Sequence, residues 1–114
     1  MTLVGSVTDT RLDYSFSSAV SPVENVVFVA GHKSDTLVAV NFSDPANPTI
    51  MGSVSLGVAP SFVALSPNGT LAFVTSQADN SLVIVDVGAD PTTPTVLGSV
   101  TSLVGALGVA VSHT

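Results

Sequence analysis

The side chains able to do chemistry in this chain are few and scattered. The stretch "TDTRLDYSF" (Thr8 to Phe16) holds Arg11, Asp13 and Tyr14. Together they give a cation, an acid and an aromatic hydroxyl, the mixture that orients a bound ligand. The corresponding stretch one repeat later, "SLGVAPSF" (Ser55 to Phe62), offers little that is polar beyond Ser61. These four residues are the candidate ligand contacts, set against the plainer reading of loop side chains satisfying nearby backbone. His32 lies in the polar turn "GHKSD" and reads as an exposed turn residue, and His113 reads the same way near the C-terminus. Asp35, Asp44, Asp79, Asp86 and Asp90 are spread over turns. Asp44 and Asp90 each precede a proline, where a carboxylate commonly caps a turn. Calcium needs several oxygens converging from one loop, and that spacing does not occur. No Ser/His/Asp set, carboxylate pair or glycine-rich turn before a helix is recognisable. Asn41 and Asn68 match the glycosylation sequon, although Asn68-Gly69 is explained by a hairpin turn alone. No catalytic residue or metal ligand is therefore assigned, and no cofactor is called for.

Composition limits the elements that could position these residues. The 114 residues are 46% apolar, with mean hydropathy +0.63, which suits one small folded unit. Only 9% are charged, against about 25% in ordinary domains. Arg11 and Lys33 are the only cations beside eight acids, for a net charge of −6. Two separated cations cannot form a nucleic-acid or anionic-lipid surface. The absence of cysteine removes disulfides and thiolate chemistry. Gly, Pro, Ser, Asn or Asp interrupts every apolar run well short of the ~18 residues a membrane span needs. No signal peptide is visible.

The strongest signal is repetition. "DPANPTIMGSV" (Asp44 to Val54) returns 46 residues later as "DPTTPTVLGSV" (Asp90 to Val100), and "MTLVGSV" at the N-terminus matches the tail of the same phrase. Between the phrases Pro22 matches Pro67, Phe28 matches Phe73 and Leu37 matches Leu82, each 45 residues apart. Each unit holds short β-branched or aromatic strings between turn clusters, with no helical period. The expectation is four strands per unit: "SSAVS" or "FVALS", "NVVFVAG" or "LAFVTS", "TLVAVNF" or "SLVIVDV", and "PTIMGSVS" or "PTVLGSVT". The turn "SPNGT" carries an Asn-Gly pair suited to positive φ. The prolines at 45, 48, 91 and 94 mark loops before an outer edge strand.

"VVFVA" and "LVIV" are apolar throughout rather than alternating, which implies a sheet covered on both faces. Four-stranded units of about 46 residues, covered on both sides, are the blades of a β-propeller. "SLVIVDVGADPTTPTVLGSV" contains the string LVIVD and resembles the bacterial and archaeal LVIVD repeat. "LSPNGTLAFVTSQADNSLVIVD" is also similar to the related YVTN propeller repeats. The first unit departs from the pattern, with Val38-Ala39-Val40-Asn41 for the acidic ending and "SPVEN" for the Asn-Gly turn. The resemblance implies an all-β propeller and an extracellular, periplasmic or cell-surface setting. Its members include surface proteins, binding scaffolds and some enzymes.

The expected organisation is a single propeller segment. Residues 1–9 form the outer strand of a preceding blade, 12–56 and 58–101 form two blades, and 106–114 form the inner strand of a following one. A blade face projects roughly 300 Å². Leaving one such apolar face in water forfeits on the order of 7 kcal/mol, comparable to the ~5–15 kcal/mol stability of a whole domain. Two blades therefore require neighbours, supplied by further sequence or by self-association into a ring. Six or eight blades from three or four chains are the simplest closures. The favoured function is a non-enzymatic propeller module for protein or ligand interaction or surface display. The alternatives are part of a lactonase-like propeller hydrolase and a purely structural repeat segment.

Overall fold

The computed structural model describes residues 3, 5, 6, 15–31, 35–56, 59–76, 80–88 and 92–100. They form eight strands: β1 (Ser15–Val20), β2 (Val26–Gly31), β3 (Thr36–Asn41), β4 (Thr49–Ser55), β5 (Phe62–Leu65), β6 (Leu71–Ser76), β7 (Ser81–Asp86) and β8 (Thr95–Val100). The strands make two four-stranded antiparallel sheets, ordered β1-β2-β3-β4 and β5-β6-β7-β8, so each repeat is one meander. These are blade 1 and blade 2. The β-branched and aromatic strings became the strands, and the Ser, Pro, Asn and Asp clusters became the turns. The flanking strands expected over 1–9 and 106–114 lie outside the described residues, apart from Leu3, Gly5 and Ser6.

Several local devices recur in both blades at the repeat interval. The outer strands carry a register skip at matching places. Ala39 faces Gly52 and Val40 faces Ile50, leaving Met51 unpaired; Ile84 faces Gly98 and Val85 faces Val96, leaving Leu97 unpaired. An extra residue of this kind bends a strand and increases its twist. Asp35 and Asn80, matched residues just before β3 and β7, both adopt left-handed backbone with φ of 56° and 50°. Asp and Asn are among the residue types that tolerate this best. The Oδ1 of Asn41 accepts the Ser43 amide at 2.8 Å, and the Oδ1 of Asp86 accepts the Gly88 amide at 3.1 Å. The asparagine that departs from the acidic ending in the first unit therefore makes the same turn cap as the aspartate in the second.

The hairpin turn of blade 2 differs from the sequence expectation in one respect. Gly69 alone takes positive φ, at 74°, and its amide bonds Ser66 O at 2.9 Å. Asn68 contributes through its side chain instead. Its Oδ1 accepts from Ser66 Oγ (2.8 Å), Thr70 Oγ1 (2.7 Å) and the Thr70 amide (3.2 Å). Blade 1 builds the matching turn on Ser21, whose Oγ accepts the amides of Val23 and Glu24.

The core lies between the sheets. Phe28, Ala30, Leu37 and Ala39 of blade 1 join Val63, Ala72, Val74, Val83 and Val85 of blade 2 in one buried cluster. Each large aliphatic or aromatic side chain so placed contributes ~1.5–3 kcal/mol. The inner strands meet directly, with Ser17 Oγ accepting the Val63 amide at 3.3 Å. Burial on both faces holds fully for β3, where Val38 (0% exposed) and Val40 (5%) are covered on the face away from blade 2. It holds for β7 on one face only. Val83 and Val85 are buried, whereas Leu82 and Ile84 remain half-exposed because no second sheet of the described residues lies over them.

Candidate functional site

At one end of blade 2, residues 59–61 ahead of β5 lie against the end of β6, and in blade 1 Leu56 after β4 lies against Asp35 ahead of β3. Here the Leu56 amide bonds Asp35 O at 2.8 Å, and the Ser61 amide bonds Thr75 O at 2.7 Å. Ser76 Oγ donates to Ala59 O at 2.7 Å. In blade 2 this end is lined with small hydroxyls: Ser61 (4% exposed), Thr75 (4%), Ser76 (0%) and Ser81 (3%). Thr75 Oγ1 and Ser81 Oγ are buried without a hydrogen-bond partner. The matched positions of blade 1 are Phe16, Ala30, Gly31 and Thr36, so the hydroxyl cluster belongs to blade 2 alone.

Of the four candidate ligand contacts, Ser61 is described. It sits inside the wall of this end, held through its backbone to β6. Arg11, Asp13 and Tyr14 lie outside the described residues, as do His32, Asp79, Asp90 and His113. Asp44 caps its turn as expected: Oδ1 accepts the Ala46 amide at 3.2 Å and Oδ2 accepts Asn47 Nδ2 at 3.1 Å. Among the described residues no group of three His, Asp or Glu side chains is arranged to hold a metal ion. No helix of the described residues is long and apolar enough to cross a membrane.

The larger unassigned feature is an apolar surface. The face of blade 2 turned away from blade 1 presents Phe62, Leu71, Phe73, Leu82 and Ile84, all half-exposed. Beside it runs β8, in which every residue is exposed, including Val96 (43%), Leu97 (60%) and Val100 (49%). A methyl added at Gly98 would meet nothing within 4 Å. Sequence reasoning required such open faces but did not say which side of which blade they occupy.

With two meanders stacked at the repeat interval, comparison with known proteins is decisive for the family. The LVIVD repeat matches residues 17–55 and 63–102, one match on each blade. The chain belongs to the LVIVD repeat family. No curated protein sequence matches this LVIVD-repeat chain significantly. Among solved structures it is similar to Kuenenia stuttgartiensis hydrazine synthase, with TM-score 0.71 and 19% identity over 91% of this chain and 28% of that one. It is also similar to a protein from Lactobacillus plantarum, with TM-score 0.70 and 19% identity over 89% of this chain and 30% of that one. A third is a candidate 6-phosphogluconolactonase from Bacteroides fragilis, with TM-score 0.67 and 18% identity over 76% and 25% of the respective chains. At these identities the likeness establishes the β-propeller fold alone. The two LVIVD repeats span less than a third of the length of each of these structures.

Proposed function

We propose that this chain is a non-enzymatic β-propeller module that acts through its surfaces, in protein or ligand interaction or in surface display. The observation that carries the reading is the open apolar face of blade 2 with its fully exposed outer strand. A contiguous apolar surface of this kind, rimmed by polar turns, marks an interaction site. It is a sheet face rather than a cleft, so it suits a protein surface better than a small molecule, which is ordinarily enclosed in a concave pocket. In this reading Arg11, Asp13 and Tyr14, which lie outside the described residues, stay candidate ligand contacts by sequence, and Ser61, 4% exposed, supports the wall and is grouped with them by sequence only.

A second reading, part of a lactonase-like hydrolase, has the structural similarity to candidate 6-phosphogluconolactonases in its favour. Incubating the purified chain with 6-phosphogluconolactone and simple lactones separates the two. The interaction module leaves the hydrolysis rate at that of buffer. Turnover that disappears in Arg11→Ala or Asp13→Ala would establish the enzyme and overturn the proposal.

A further inference from the structure

The two blades of this chain are joined by different faces of the same repeat. Blade 1 contributes Ala19, Val26, Phe28, Leu37, Ala39 and Val54 to the contact. Their matches 45 or 46 residues later are Ala64, Leu71, Phe73, Leu82, Ile84 and Val100, which form the open face of blade 2. Blade 2 contributes Val63, Ala72, Val74, Val83 and Val85. Their matches are Ser18, Val27, Val29, Val38 and Val40, on the side of blade 1 turned away from blade 2. The contact is thus head to tail, and the chain carries a second copy of each half of it, open on blade 2 and covered at Val38 and Val40 on blade 1.

We propose that a second copy of this chain docks its first blade onto the open face of blade 2, repeating between molecules the contact that joins the blades within one. These six residues of the donor face are apolar at both places, whereas the seventh contact residue, Ala30, is matched by Thr75, whose hydroxyl is already buried at 4% exposure. The receiving side is open along its inner half, where Ser18 and Val20 are exposed (Val20 62%) and Val27 and Val29 are half-exposed. Val38 and Val40 are already covered, so the docked blade seats on the inner strands first. This is also where the blades meet within one chain, through Ser17 and Val63. A head-to-tail contact is heterologous and closes into a ring when its rotation permits; three or four chains give the six or eight blades of a closed propeller. The proposal deepens the interaction reading by naming the occupant of its apolar face. A monomer would refute the occupant and leave the non-enzymatic reading to the lactone assay.

Because the chain has no cysteine, engineered cysteines report this contact without background. The double variant Ser17→Cys/Val63→Cys marks the contact within one chain and serves as the control for disulfide reach. Its intermolecular match is Phe62→Cys in one copy and Ser18→Cys in another. Head-to-tail docking predicts a cross-linked dimer when the two single variants are mixed under mild oxidation, and little when either is oxidised alone. Cross-linking of Phe62→Cys with itself would show two open faces meeting and would overturn the proposal, as would no cross-linking from folded variants. Should a variant lose its β-sheet circular dichroism, hydrogen exchange of the unaltered chain reads the same contact. Docking predicts that β1 and β5 lose protection together on dilution, and exchange that stays constant across the dilution series refutes it.

Discussion

Phe28 and Phe73 hold the same place in the two repeats and meet different surroundings. Phe28 is 2% exposed in the core between the blades, whereas Phe73 is half-exposed on the open face. Truncating a buried phenylalanine costs ~3–5 kcal/mol, through lost transfer energy and the cavity left behind. Phe28→Ala is therefore expected to lower the urea unfolding free energy by about that amount at every protein concentration. Phe73→Ala is expected to cost less within the chain and to act mainly on association. Its deficit relative to the unaltered protein should shrink on dilution. Equal, concentration-independent losses in the two variants would show that the two faces are buried alike within one chain.

At the scale of the element, the strands were legible because β-branched strings bounded by turn residues have little choice of conformation. Each observed strand begins and ends within two residues of its expected place. The register skip was not legible, because the extra residues Met51 and Leu97 are themselves apolar and leave the pattern undisturbed. Nor were the left-handed residues Asp35 and Asn80, whose types are equally at home in ordinary turns. The buried hydroxyls of blade 2 were hidden for a related reason: serine and threonine read as turn filler until a register places them beneath a loop. Of that cluster the sequence points to Ser61 alone, through its place ahead of β5, and the charged candidates Arg11 and Asp13 lie outside the described residues.

Two glycines of blade 2 distinguish its tight parts from its open ones. A methyl at Gly88 would lie 2.6 Å from Thr70 Cα, whereas one at Gly98 meets nothing. Gly88→Ala must displace backbone and is expected to cost ~1–3 kcal/mol by overpacking. Gly98→Ala should stay within about 0.5 kcal/mol, as surface substitutions do. Thermal melts of the two variants check this. A large loss in Gly98→Ala would mean that the outer strand of blade 2 is covered more closely than the single chain shows.

At the scale of the whole molecule, two LVIVD blades stacked head to tail leave a donor face at one end and a receiving face at the other. Leaving the outer face of blade 2 and the inner-strand half of the far face of blade 1 uncovered is unfavourable for a repeat fold, whose stability is largely a sum of contacts between neighbouring units. The proposed self-association would complete those contacts with no new type of interface. The net charge of −6 opposes it by self-repulsion, so near-physiological salt, with a Debye length of about 8 Å, is the condition in which to look. The most direct measurement is the solution mass of the unaltered chain by light scattering across a dilution series. The head-to-tail account predicts a discrete species of three or four chains of 11.4 kDa, dissociating on dilution with loss of β-sheet signal. A well-folded particle of a single chain's mass at every concentration would contradict it.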